Sequence, residues 1–429
     1  MKIINIFTTT RYEHLTKGQI NTSIKKTELN ILIISQYFFP ENFQINDLVF
    51  SLKKKGHNIE VLTGKPNYSK THFFDGYGWN SPDFEIINDI PVYRANLFSR
   101  KKGGAIRLFL NYFSFALLAL FKVRKIKGPF DVIFVYQTSP VTVGIPAIFA
   151  KKLFKTPICF WVQDLWPESL AAAGGIKNKF ILGFFNSLTK WIYNQSKKVL
   201  IQSDGFRKYI LNQGISNDKI IFYPNSTEDF YKPLQEVKEY QKFFQNEFFN
   251  IVFAGNIGEA QSFKTIIKAI NNIKELSVKV IVLGDGRYKE TALSLIKEKG
   301  LESHFNFLGS FPPTEMPKFF SHADALLVSL KKEMIFSLTI PSKIQSYLAC
   351  GKPIIASIDG EGAKIVNDAK CGVTSPAEDS VKLSEGIKEL MALDKSKRSE
   401  MGNNGRAYYE KEFDRNNLLE KLEGIFKSL

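Results

Sequence analysis

Residues 340–357 read IPSKIQSYLACGKPIIAS. Pro341 suits the first turn of a helix, where its missing N–H costs nothing, and Thr339 or Ser342 supplies a cap. Ile344, Tyr347 and Leu348 follow Ile340 at helical spacing, which predicts one apolar face. Gly351 fits the left-handed stop just past the last turn, and Pro353 forbids continuation. PIIAS then reads as a short buried strand. The start of such a helix offers free N–H groups, the positive end of the dipole and Lys343, which together favour an anion. An ordinary helix–strand connection reads the same way, so the neighbouring segments must decide.

Those neighbours repeat one grammar. From residue 29, LNILIIS is a strand, NDLVFSLKKKGHN an amphipathic helix ending at Gly56, and IEVLTG the next strand. PVYRA, DVIFVYQ, PICFWVQD and KVLIQS follow, with helical segments between them. Continuous apolar strands alternating with helices predict a parallel sheet covered on both faces. Around IIFYPNSTEDF the grammar changes, and residues 224–249 read as a linker. It restarts with NIVFAGNIG, VKVIVLGDG, FNFLGSF and ADALLVSL, and ends in the quoted stretch. The expected fold class is α/β, with two Rossmann-like domains, 29–223 and 250–403, facing a central cleft. A last helix, residues 404–429, is expected to pack back on the first domain, and residues 1–28 read as an extension of low structural weight.

Bulk composition bounds the partners. At 429 residues the chain exceeds one ordinary core. A net charge of +16 calls for an anionic partner: nucleotide phosphates, an anionic membrane leaflet or nucleic acid. The last has net charge alone behind it, without a recognisable motif. Cys159, Cys350 and Cys371 lack metal spacing, and an odd count favours a reducing compartment. The longest apolar run, residues 108–121, falls short of the roughly 20 residues that span a bilayer. Its basic flanks fit an interfacial helix, and a core helix before DVIFVY reads the same way.

Open α/β sheets bind ligands beyond the carboxyl ends of their strands, which directs attention to the following loops. In FAGNIGEAQSF, Gly255 and Gly258 let backbone approach a phosphate, without the G-x-G-x-x-G spacing of a dinucleotide fingerprint. LGDGR is a second glycine turn. WVQDLWPES sets Asp164 and Glu168 at a strand end among Trp161, Trp166 and Pro167. Carboxylates there can orient a hydroxyl, and tryptophan faces stack on sugars, although Asp164 as a helix cap is the plain alternative. ENFQIND puts Glu41, Asn42 and Gln44 after the first strand. No D-x-D pair appears, so neutralisation of a diphosphate falls to backbone N–H groups and Lys or Arg.

Taken together, YPNSTEDF at the junction, FAGNIGEAQ, LGDG and PSKIQSYLACGKPIIAS resemble glycosyltransferase family 4 of the GT-B fold. VLTGKPNYSK with DLWPES and LTIPSKIQSYLACGKPI resembles, more narrowly, a bacterial fucosamine-transferase-like branch. The resemblance covers roughly residues 29–425. It implies a nucleotide-sugar donor, expected to be a UDP-sugar, on the C-terminal domain and an acceptor on the N-terminal one. It also implies retention of configuration without a metal or other cofactor. Carried onto this sequence, the donor set is Gly255, Asn256, Gly258, Gln261, Gly284, Ser342, Lys343 and Ser346. Asp164 is the expected catalytic residue with Glu168 second, and Glu41, Asn42 and Trp166 meet the acceptor. Three positions depart from the family pattern: Leu338 and Ser346 stand where two glutamates are expected, and Asn256 where many members carry arginine. The implied setting is the inner face of the cytoplasmic membrane, with a lipid-linked glycan as acceptor and no nucleic-acid partner. Two rival readings stand beside it: a sugar-nucleotide 2-epimerase, which needs histidines and carboxylates in the pocket, and a non-catalytic nucleotide-sugar or anionic-lipid scaffold.

Overall fold

The computed structural model describes residues 28–68, 72–100, 104–174 and 178–429, so all but Glu28 of the 1–28 extension lies outside the described residues. The first sheet holds β1 (Asn30–Ser35), β2 (Asn58–Gly64), β3 (Phe84–Ile87), β4 (Ile90–Ala95), β5 (Val132–Gln137), β6 (Ile158–Val162), β7 (Lys198–Ile201) and β8 (Ile220–Phe222). Their order is β3-β4-β2-β1-β5-β6-β7-β8, and only the edge strand β3 runs antiparallel. The second sheet holds β9 (Phe249–Ala254), β10 (Val278–Leu283), β11 (Phe305–Gly309), β12 (Ala325–Ser329), β13 (Ile354–Ser357) and β14 (Gly372–Ser375). It is parallel throughout, in the order β11-β10-β9-β12-β13-β14. This is the expected α/β arrangement of two Rossmann-like domains.

Each sheet buries both faces because its strands are apolar on both sides. In β1, Leu32 and Ile34 enter the core on one face, and Ile31 and Ile33 the core on the other. Strands β3, β8 and β14 are not signalled by the sequence. β3 and β14 are edge strands with alternate residues partly exposed, and β8 is only three residues long.

The expected single helix at 404–429 is instead two. Lys395–Glu412 packs on the second domain, with Tyr409 in its core. The chain then breaks at Phe413–Asp414, where the Asp414 carboxylate accepts from Asn417 N at 2.9 Å and starts Arg415–Lys427. That second helix crosses to the first domain and places Leu418, Leu419, Leu422, Ile425 and Phe426 in its core. The Phe134 and Phe426 rings meet at 5.3 Å. Arg415 anchors the crossing, pairing with Asp47 at 2.6 Å and with Asp229 of the linker.

The apolar run extends further than its sequence suggested. It lies in the helix Ala105–Val123, of which Ile106–Val123 is long and apolar enough to cross a membrane by length and composition. The helix is folded onto the first domain: Phe115, Ala116, Ala119 and Val123 are fully buried, whereas Ile106, Phe109, Leu117 and Phe121 are exposed.

The tail helix makes a prediction. Leu422 is fully buried, so Leu422→Ala should cost about 2–5 kcal/mol, read as a lower urea midpoint. An unchanged midpoint would remove the tail from the core of the first domain.

Candidate functional site

A cavity of about 400 Å³ opens beyond the carboxyl ends of β9 and β10, against the start of the helix Ser342–Ala349. Its floor depends on two glycines, Gly255 at φ +128° and Gly284 at φ +151°. A Cβ on Gly284 would lie 1.9 Å from the Gly255 carbonyl oxygen, so only glycine lets these strand ends converge. Asn256, Asp285, Ser310, Ser342, Lys343, Ser346, Tyr231 and Tyr347 complete the polar lining.

The helix begins one residue later than the sequence suggested. Pro341 precedes its first turn, and no side chain caps it. Thr339 fails as a cap because its hydroxyl donates to Ile335 O at 2.8 Å, and Ser342 is already helical. Among the described residues, the N–H groups of that first turn therefore keep no side-chain cap.

Of the sequence-derived donor set, Gly255, Asn256, Gly284, Ser342, Lys343 and Ser346 line this cavity. Gly258 and Gln261 do not: the Gly258 N–H donates to Gln261 Oε1 at 3.1 Å, and the two close their own turn. Ser346 shares a hydrogen bond with Thr227 Oγ1 at 3.1 Å. Leu338, at the other expected glutamate position, packs with Ile335 against the core of the first domain and so wedges the domains together.

Across the cleft, Asp164 and Glu168 sit at the carboxyl end of β6. Ser169 Oγ donates to Asp164, and burial pushes the Asp164 carboxyl up to about 6 against the pull of Ser169, Trp166 and Ser139. Burial also raises Glu168, whose Oε2 is enclosed without a hydrogen-bond partner among the described residues. Asp164 does not cap the helix Glu168–Gly174 from the residue before it; its hydrogen bond is to a side chain within the first turn.

Trp166 needs correction as an acceptor residue. It is 2% exposed and held between Tyr112 and Phe185 at 6.2 and 5.2 Å, so no face is left for a sugar. Trp161 is buried likewise, with its indole N–H on Tyr223 O at 3.0 Å. Glu41 is pinned beneath the loop after β2, accepting from the N–H groups of Asn67 and Tyr68 at 2.7 and 2.6 Å. Burial lifts its carboxyl to about 7. Asn42 is exposed beside it.

Neutral side chains join the two halves. Asn225 Nδ2 donates to Gln163 Oε1 at 2.9 Å, next to Asp164, and Gln345 Nε2 donates to Asn225 O at 2.7 Å. Gln345 lies two residues from Lys343, so one short chain of bonds links the candidate acid to the donor cavity. Sequence reading missed Gln345, Thr227 and Tyr231, because isolated polar residues in a helix or linker carry no periodic signal. It also missed Arg100, whose guanidinium lies 5.2, 4.8 and 5.4 Å from the rings of Tyr37, Tyr68 and Tyr112.

Comparison with known proteins places this geometry. Residues 42–226 match the glycosyl transferase 4-like domain, and residues 235–408 match the glycosyl transferases group 1 family, one on each sheet. The chain is a GT-B glycosyltransferase of the family 4 type. This glycosyltransferase is 27% identical over 287 residues to the probable glycosyltransferase WbjE of Pseudomonas aeruginosa, covering 62% of this chain and 67% of that protein. It is 22% identical to the putative colanic acid biosynthesis glycosyl transferase WcaI of Escherichia coli K12, over 92% of this chain and 98% of that one. Among solved structures, Anabaena HepE in complex with UDP superposes with TM-score 0.70 at 14% identity, covering 94% of this chain and all of the other. Sucrose-phosphate synthase of Thermosynechococcus elongatus gives 0.71 at 15% identity, covering 94% and 99%.

Asp164 carries a signed expectation. Its folded pKa is raised, so its stabilising contribution is complete below the unfolded value near 3.8 and is lost as pH rises through about 6. Asp164→Asn should therefore gain stability at about pH 8, on the order of 2 kcal/mol, and gain nothing at about pH 4. Thermal melts at the two pH values check this; equal losses at both would overturn it.

Proposed function

We propose that this glycosyltransferase moves a sugar, an N-acetylated deoxyhexosamine, from a UDP-sugar to a polyprenyl-diphosphate-linked glycan in surface polysaccharide biosynthesis. The observation that carries the reading is the glycine-floored cavity at an uncapped helix start with one lysine inside it, a place built for a diphosphate. The colanic-acid assignment of WcaI and the UDP bound in HepE support the pathway class and the base. The donor sugar rests on the fucosamine-transferase-like resemblance of DLWPES and PSKIQSYLACGKPI.

In this reading the reaction retains configuration and needs neither a metal nor a cofactor. The acceptor hydroxyl attacks from the face the diphosphate leaves, and the departing charge is met by Lys343 and the N–H groups of the helix start. Asp164, ionised above about pH 6, orients and accepts from a hydroxyl of the sugar or of the acceptor, with Glu168 second in line. The epimerase alternative fares worse: no histidine lines the cavity among the described residues. His57, His304 and His322 are bonded to Glu423, Val278 O and Val237 O.

The lipid acceptor gives the exposed apolar surface a purpose. Ile106, Leu117 and Phe121 on one helix are joined by Phe180, Phe184 and Trp191 on the helix Lys179–Gln195, with the Phe109 and Phe185 rings 6.5 Å apart where the helices meet. Arg107, Lys125, Lys127, Lys179 and Lys190 lie on or beside these helices, which suits the anionic inner face of the cytoplasmic membrane.

Two experiments test this. UDP at a hundredfold excess over Kd should stabilise the protein by about 2.7 kcal/mol, where GDP, CMP, ADP and NAD do little. Asp164→Ala should keep that shift and lose transfer to a lipid-linked acceptor; unchanged turnover would remove Asp164 from the chemistry, and no shift with any nucleotide would favour the scaffold reading. Separately, the protein should float with liposomes containing anionic lipid, and Phe121→Ser with Phe180→Ser should weaken flotation at least several-fold. Equal flotation with neutral liposomes would sink the electrostatic part of the docking.

A further inference from the structure

The donor cavity contains one base, and among the described residues that base has neither a hydrogen-bond nor an ion-pair partner. Among its lining residues Lys343 is the only cation and Asp285 the only carboxylate. Lys343 Nζ is enclosed and makes no hydrogen bond among the described residues. It lies 3.9 Å from the centroid of the Phe253 ring, and its tip stands 3.0 Å from where a Cβ on Gly255 would be. The ammonium therefore points at the glycine floor, beside the uncapped start of its own helix.

The groups that face it leave it unpaired. From the turn after β10, Asp285 accepts from Gly286 N at 2.7 Å and lies 3.7 Å from Lys289. The Tyr347 hydroxyl, on the same helix, accepts from Ala254 N and donates to Leu327 O. Tyr231, from the linker, is a phenol pushed up by burial to about 12, hence neutral. Asn256, from the turn after β9, carries no charge. An ammonium held out of water without an anion favours losing its proton. Burial lowers the Lys343 amine to about 7, and the Phe253 ring face beneath it is the neighbour that favours the charged form.

Resting on the nucleotide-sugar reading above, in which Lys343 meets the diphosphate, we infer that Lys343 takes up a proton from solvent as a nucleoside diphosphate enters. Empty, the cavity tolerates a neutral amine against Phe253. Occupied, it brings an anion within reach of the amine, which then favours the ammonium. No covalent bond changes: one proton moves from solvent to Nζ, and ligand binding and proton binding become linked. The same ammonium then faces the charge that develops as the sugar leaves.

Calorimetric titration of UDP into the protein at about pH 8, in Tris and in HEPES, reads this directly. The two buffers differ in ionisation enthalpy, so their heats separate by the number of protons bound. From a free value of about 7, uptake should be about 0.9 proton per UDP, and affinity should fall about tenfold per further pH unit. Uridine, lacking phosphate, should take up none. Lys343→Met, checked for folding by its melt, should bind UDP at least tenfold more weakly at neutral pH, with equal heats in both buffers. UDP binding with equal heats in wild type, or uptake that survives in Lys343→Met, would overturn the inference and leave the donor reading standing. No UDP binding at all would overturn both.

Discussion

Parallel sheets bury both faces, and that leaves this molecule only its strand ends for chemistry. Every apolar residue of β1, β5 and β6 is committed to one of two cores, so side chains along the strands are unavailable to a ligand. The carboxyl ends of β6 and β9 become the sites because the polypeptide there must turn. In the first domain the turn carries carboxylates; in the second it carries glycines, faced by Lys343 on the helix Ser342–Ala349. The tail helix Arg415–Lys427 completes the constraint. By covering one face of the first sheet from the far end of the chain, it makes the first core incomplete without the last residues.

Beside the cleft the join between the halves is made of neutral groups, while the ion pairs of Arg415 with Asp47 and Asp229 hold the tail helix. Gln163, Asn225 and Gln345 form a short amide chain, and Thr227 meets Ser346 through hydroxyls. Each such bond contributes about 1 kcal/mol net, so the join aligns the two sites at modest cost to rearrangement. A buried ion pair at the same place would resist separation far more strongly, because each charge would be left bare. Leu338 acts in the same sense, since an apolar wedge against the first core can slide without stranding a charge.

The sequence reading found the strands that are apolar on both sides and the glycine turns after β9 and β10, because periodicity and turn chemistry act locally. The quoted stretch gave the helix, its stop at Gly351 with φ +65°, and the strand β13. What it lost depends on tertiary contact. Trp166 read as a sugar platform because an aromatic beside acids looks the same whether its faces are open or packed. Gln261 and Gly258 read as ligand-facing because a hydrogen bond between them leaves no mark on spacing. The break at Asp414 was hidden inside one continuous helical pattern; there the Asp414 carboxylate caps a new helix, which turns away to cover the first sheet.

The two missing glutamates and the unpaired lysine are aspects of one arrangement. Residues 343 and 346 are three apart on a helix, close enough for side chains to interact. A carboxylate at 346 would supply Lys343 with a standing partner, hold it charged in the empty cavity, and oppose an incoming diphosphate with its own negative charge. Serine does neither: it spends its hydrogen bonding on Thr227 and on Ser342 O. With Asn256 neutral as well, the cavity holds fewer charges of both signs than the family pattern implies. The single remaining base is left to answer the ligand alone, and its burial against Phe253 ties its charge to the presence of an anion.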